Sequence, residues 1–232
     1  MSTVVRVVLA PLVLAPLLLA SLLLTLLAGP AHAGGERPGH RHHAAPGHLD
    51  ASEHRRTARA DRYAAGEDVV QVRRRVTYSV TTRGRIGAST KVFRRQAQET
   101  FDDPRGWRSG GVELRRVRRG GHFTLVLAAP GTLPSFSAGC STRWSCRVGR
   151  HVVINQLRWL RASPAWNAAG RSRRDYRHMV VNHETGHWLG LGHASCRGGR
   201  RAPVMMQQSK GTGGCRFNPW PLEREAAAVR GR

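Results

Sequence analysis

The run His183-Glu184-Thr185-Gly186-His187-Trp188-Leu189-Gly190-Leu191-Gly192-His193 sets histidine, glutamate and glycine at the spacing H-E-x-x-H-x-x-G-x-x-H. Two histidines four residues apart on a helix lie one turn above the other, so both imidazoles reach a single ion. Glu184, one residue on, projects beside the first ligand and can address a water without binding the metal. His193 is the informative position. A straight helix would carry it about 15 Å beyond His183 along the axis, too far to share one ion. The chain must leave the helix and double back, and Gly190 stands where that reversal needs a residue tolerant of positive φ.

Outward from this stretch, a helical pattern covers Arg173 to Leu191. On it, His178 is turned to another helix face and Tyr176 sits about 10 Å back along the axis, so both read as packing or solvent-facing residues. Trp188 and Leu189 read as anchors of the helix to the core. Upstream, Val76 to Thr82 alternates as a strand. Ser89 is an N-cap for a helix to about Phe101, with Val92, Phe93, Gln96 and Thr100 at helical spacing. Asp103-Pro104-Arg105-Gly106 ends that helix as a turn. Val112 to Val117 and His122 to Ala128 read as strands joined by a turn at Gly120-Gly121. Cys140 to Cys146 reads as a closed loop, His151 to Ile154 as a strand, and everything after the second helix as irregular. Asn155, after its apolar strand, has two readings: a turn residue, or a partner for substrate backbone at a cleft edge.

The ends of the chain differ from this. Val7 to Ala28 is almost wholly apolar and uncharged, and Ala31-His32-Ala33 supplies the small residues a signal peptidase requires. Residues 1–33 therefore read as a signal peptide, with an uncleaved anchor through residues 7–28 as the alternative. Residues 34–68 read as a flexible linker rich in His, Arg, Pro and Gly, and the folded domain as 69–232. Export suits the cysteines. Cys140, Cys146, Cys196 and Cys215 are an even set in an exported chain, which reads as disulfides. Three pairings are open, the local one (Cys140 with Cys146, Cys196 with Cys215) being the simplest.

Charge is lopsided, with 38 Lys+Arg against 14 Asp+Glu and a net +24, yet Lys91 and Lys210 are the only lysines. Arginine, alanine, glycine and proline are abundant where lysine is scarce, which points to coding bias more than to a dedicated surface. The charge implies loose association with anionic cell-envelope polymers. No arginine–aromatic module of the RNA-binding kind is present, so specific nucleic-acid binding is not expected.

Downstream of the histidines comes Ala202-Pro203-Val204-Met205-Met206-Gln207-Gln208. Together with the histidine motif, this resembles the metzincin clan of zinc peptidases, in which a methionine turn lies beneath the metal-binding histidines. More closely, Val76 to Pro221 resembles a family of exported actinobacterial proteins described as metallopeptidase-like but of unknown function. The pieces that carry the likeness are Asp103 to Trp107, Ser145-Cys146, Val153-Ile154-Asn155 with Arg158-Trp159, Tyr176-Arg177, Asn182 to His193, Ala202 to Met205, and Cys215 with Asn218 to Pro221. The resemblance implies an α+β, metzincin-like (zincin) fold: a twisted mixed β-sheet, an active-site helix and a small irregular C-terminal subdomain. It makes Met205 the turn methionine. Astacin-like members carry a tyrosine two residues after that methionine, where this chain has Gln207.

Three neutral imidazoles leave one position open on Zn(2+), the pattern of a catalytic site. The expected chemistry is hydrolysis of peptide bonds in peptide or protein substrates, through a zinc-bound water from which Glu184 takes the proton. The competing expectation is a non-catalytic zinc-containing protein of the cell envelope.

Overall fold

The computed structural model describes residues 71–198 and 200–230. The signal peptide or anchor, the linker and the domain start at 69 lie outside them. Among the described residues, no helix is long and apolar enough to cross a membrane.

Five strands form one sheet: β1 (Arg74–Arg83), β2 (Val112–Arg116), β3 (Phe123–Ala128), β4 (Cys146–Val148) and β5 (His151–Asn155), in the order β2-β1-β3-β5-β4. The first four in that order run parallel, and β4 closes one edge antiparallel to β5. The strand period of two sorts β3 cleanly. Phe123, Leu125 and Leu127 enter the main core, while Val126 and Ala128 enter a second, smaller cluster on the opposite face. That second face is roofed by the segment leading to the Cys140–Cys146 disulfide, with Leu133 and Cys140 packed on Val126 and Val153.

Gly120-Gly121 lie in an open loop rather than a hairpin turn, and β2 and β3 do not pair with each other as neighbours in sequence usually do. Each lies against β1, on opposite sides of it and both parallel to it. The chain must therefore cross β1 at close range. Gly121 has φ +93°, and a Cβ there would stand 3.0 Å from the Thr77 carbonyl oxygen and 3.0 Å from Tyr78 Cα. Only glycine fits that crossing.

Helix α1 (Thr90–Asp102) begins at Ser89, whose hydroxyl accepts from the Val92 N–H, and buries Phe93, Gln96, Ala97, Thr100 and Phe101 along one stripe. Two short helices after β5 were not expected from the sequence: α2 (Gln156–Arg161) and α3 (Pro164–Ala168), capped by Asn155 and Ser163. Helix α4 (Arg173–Trp188), capped by Ser172, is buried continuously from His178 to Gly186. The tail expected to be irregular throughout ends instead in α5 (Glu223–Arg230). The cysteines pair locally, Cys140 with Cys146 and Cys196 with Cys215.

Candidate metal centre

The reversal after α4 is a hydrogen-bonded cap. Leu191 N–H bonds back to the Gly186 carbonyl (2.9 Å), Gly190 N–H to the His187 carbonyl (3.1 Å), and Gly190 has φ +92°. These are the two bonds of a Schellman motif with glycine at the left-handed position. The helix thus stops at Trp188 rather than Leu191, and the chain returns toward its own last turn. Ala194 N–H bonds the Met205 carbonyl (3.1 Å), tying the returning segment to the methionine turn.

This brings His183, His187 and His193 together. Their ligand-capable nitrogens all lie within 4.8 Å of one another, and Glu184 is not in that group. His187 Nε2 stands 3.2 Å from His183 Nε2 and 3.2 Å from His193 Nε2. The far sides of two rings explain the tautomers. His183 Nδ1 is 2.8 Å from the Val204 carbonyl oxygen and His187 Nδ1 is 2.9 Å from that of Leu191. A carbonyl only accepts, so both Nδ1 atoms carry the proton and both Nε2 atoms keep their lone pairs. Two lone pairs facing at this distance repel unless a cation lies between them. A tetrahedral zinc with bonds of about 2.0–2.1 Å separates its nitrogens by roughly 3.3–3.4 Å, so the donor set fits.

Electrostatics agree. Burial pushes His183 down to about 3, helped by the neighbouring His187, and burial also lowers His187 and His193. All three imidazoles are neutral at pH 7, the state a ligand requires. Burial raises Glu184 to about 8, opposed in part by Arg147. Its carboxylate is 5 % exposed and has no hydrogen-bond partner among the described residues. It faces a cavity of about 350 Å³ lined also by the three histidines, Met179, Trp144, Arg147, Gln207, Ser209 and Lys210.

Met205 is buried beneath the helix, its thioether against Gly186, while Met206 is only partly buried. Gly186 is the residue that permits this. A Cβ there would meet the Met205 sulfur, and would stand 2.8 Å from Trp107 Cζ2. Glycine between the first two histidines is thus a packing requirement that the motif spacing alone did not reveal.

His178 packs: its Nδ1 is 2.9 Å from Thr100 Oγ1 and its ring lies on Trp220. Tyr176 is buried and its hydroxyl meets Ser209 Oγ at 2.8 Å. Leu189 is buried, and Trp188 packs against Phe123 with centroids 4.8 Å apart. Asn155 has the structural role, capping α2 through Leu157 N–H and donating to the Thr142 carbonyl. Gln207 lines the cavity and is exposed.

Unforeseen was the polar frame under the methionine turn. Gln208 bonds the Pro203 and Asn218 carbonyls and accepts from Asn218 N–H. Asn218 in turn donates to the Ala202 and Trp220 carbonyls. Glu225 of α5 accepts from the N–H groups of Val204, Met205 and Leu222. The apolar pattern gives no warning of these contacts, because each buried polar side chain is satisfied in part by backbone at least 10 residues away in sequence.

Residues 58–223 match the family described as "Protein of unknown function (DUF3152)". The chain belongs to that family. None of the curated proteins matches it. Among solved structures, it is similar to archaemetzincin from Methanopyrus kandleri, at 17% sequence identity and a TM-score of 0.40, over 67% of this chain and 94% of that one.

Proposed function

We propose that this family member is an exported zinc-dependent peptidase of metzincin type, with His183, His187 and His193 holding the metal. The observation that carries the reading is Glu184: a buried carboxylate with no hydrogen-bond partner among the described residues, aimed into the cavity beside three neutral imidazoles. A site built only to hold metal has no use for it, and leaving it unpaired is costly. Zinc, when bound, would polarise the scissile carbonyl and make the attacking water more acidic. With a cation on the three histidines to offset the burial that raises its pKa, Glu184 stays ionised, takes the proton of that water and passes it to the leaving amine nitrogen. Met205 and the Val204 carbonyl hold the ligand cluster from below. The peptide itself has a place to lie. β4 is the edge strand, and Ser145, Cys146 and Arg147 line the cavity, so an extended backbone can add to the sheet there.

Two disulfides suit an exported protein, and the leader is the device that would deliver it. Loose association with anionic envelope polymers follows from the net charge of +24.

The test is metal analysis of the purified protein with a broad peptide-library assay, on wild type and two variants. Glu184→Ala should keep its zinc and lose a factor of ~10²–10⁴ in hydrolysis. His187→Ala should lose metal and activity together. Zinc loss from Glu184→Ala would make the carboxylate a ligand. A zinc-loaded wild type that cleaves nothing would leave a metal-binding envelope protein.

A further inference from the structure

Glu225 is 6 % exposed, and no cation pairs with it among the described residues. Its charge is met by backbone alone: Oε1 accepts from Met205 N–H at 2.8 Å, and Oε2 from Val204 N–H at 3.0 Å and Leu222 N–H at 2.7 Å. Anchoring a turn is one use for such a carboxylate. The connectivity gives it another.

The Met205 N–H and the Val204 carbonyl belong to the same peptide group. That carbonyl is the acceptor for His183 Nδ1–H at 2.8 Å. One peptide unit is therefore bonded at both ends, to a carboxylate through its N–H and to a candidate ligand through its oxygen. Negative charge at the N–H end pushes electron density onto the oxygen, and hydrogen bonds in series strengthen one another. A metal-binding histidine that donates to a carboxylate is held in one tautomer and made a better ligand. Here the carboxylate reaches the imidazole through one intervening peptide. His187 provides the contrast. Its Nδ1–H also donates to a carbonyl, Leu191, at 2.9 Å, but no carboxylate bonds the following peptide N–H among the described residues. The two rings make near-identical first contacts and differ in what stands behind them.

We propose that Glu225 is a positioning residue of the metal centre, holding His183 as its strongest donor through the Val204–Met205 peptide. The proposal rests on the zinc reading above. It gives α5 a part in the site, although Glu225 lies just past the residues that match the family.

The experiment uses the full chain, titrated with zinc against a competing chelator. The Nδ1–H resonances of His183 and His187 are followed by NMR in the loaded protein. In wild type, the His183 Nδ1–H should lie downfield of the His187 Nδ1–H. Glu225→Gln keeps the shape and removes the charge. It should weaken zinc binding by about 10–100-fold and move the His183 resonance upfield, leaving that of His187 in place. Unchanged affinity and resonances in a folded Glu225→Gln would overturn the proposal. So would an equal shift of both histidines, which marks a general loosening. If Glu225→Gln does not fold, the wild-type spectrum still decides, since coincident resonances contradict the relay. A wild type that binds no zinc fails before any substitution is made, and that outcome sinks the metal reading and this proposal together.

Discussion

The sheet and the segment beneath the metal centre are held by different forces. In the sheet, order comes from apolar volume. Tyr78 lies 5.4 Å from Phe123 and 4.9 Å from Phe101 by ring centroid, and Trp188 closes on Phe123 from below. Beneath the site, residues 194–222 contain few large apolar side chains. They are held by Gln208, Asn218 and Glu225 bonding backbone, and by the Cys196–Cys215 disulfide. Apolar packing is forgiving in direction, so its loss weakens the whole domain. A hydrogen-bond frame is directional, so its loss moves what it points at, which here is the carbonyl that orients His183. The two regions should therefore answer substitution differently: the sheet in stability, the frame in metal affinity.

The largest effect belongs to the sheet. Phe123→Ala removes a fully buried ring from between three aromatic neighbours and should cost about 3–5 kcal/mol in denaturant unfolding. The fraction that remains folded should bind zinc as wild type does. A zinc affinity that falls in step with stability would erase the distinction between the regions.

Next is the disulfide clamp. The Cys196–Cys215 bond closes a loop with a sequence separation of 19, against 6 for Cys140–Cys146. Limiting the unfolded chain alone gives about 3 kcal/mol for the longer loop and about 2 kcal/mol for the shorter. Replacing Cys196 and Cys215 by serine should lower stability by about 3 kcal/mol and weaken zinc binding as well. Replacing Cys140 and Cys146 should lower stability alone. Equal loss of zinc from both double variants, measured by chelator competition, would count against the frame.

This contrast also marks what could be read in the sequence. Val76 to Thr82, Phe93 to Phe101 and the H-E-x-x-H spacing are periodic, and periodicity survives without knowledge of neighbours. The reversal at Gly190 was legible because three ligands on one ion left no other path. What the pattern could not carry was long-range choice. That β2 and β3 flank β1 depends on a backbone crossing at Gly121, which looks like any other turn glycine. Glu225 stands in Glu223-Arg224-Glu225 and reads as surface charge until its partners, around twenty residues earlier, are known. Gly186 reads as a filler of the motif until Met205 is seen against it.

The smallest effect tests the seam between the two regions. Asp103 ends α1 on the sheet side. Its carboxylate takes both Arg105 Nε and Nη2, at 2.9 and 2.8 Å, and the Arg105 guanidinium lies 4.5 Å from the centre of the Trp220 ring on the frame side. Burial would raise the Asp103 pKa, but the bonds from Arg105 outweigh it and hold the group below its ordinary value. A carboxylate depressed by folding adds stability above its unfolded pKa of about 3.9 and gives it up as pH falls through the lower folded value. Arg105 is exposed, at 66 % side-chain accessibility against 19 % for Asp103, so screening on the arginine side limits the pair's contribution to no more than about 1 kcal/mol. Asp103→Asn should therefore reduce stability slightly near neutrality and flatten the acid limb of the stability curve below about pH 4. Zinc affinity at pH 7 should not move, because Trp220 meets the site through the His178 ring on α4 and through the Asn218 frame, and the substitution leaves both contacts in place. Chemical unfolding at several pH values, with zinc competition on the same samples, checks both halves. A zinc affinity that fell with Asp103→Asn would mean that sheet and frame are one cooperative body, and the division between them would have to be given up.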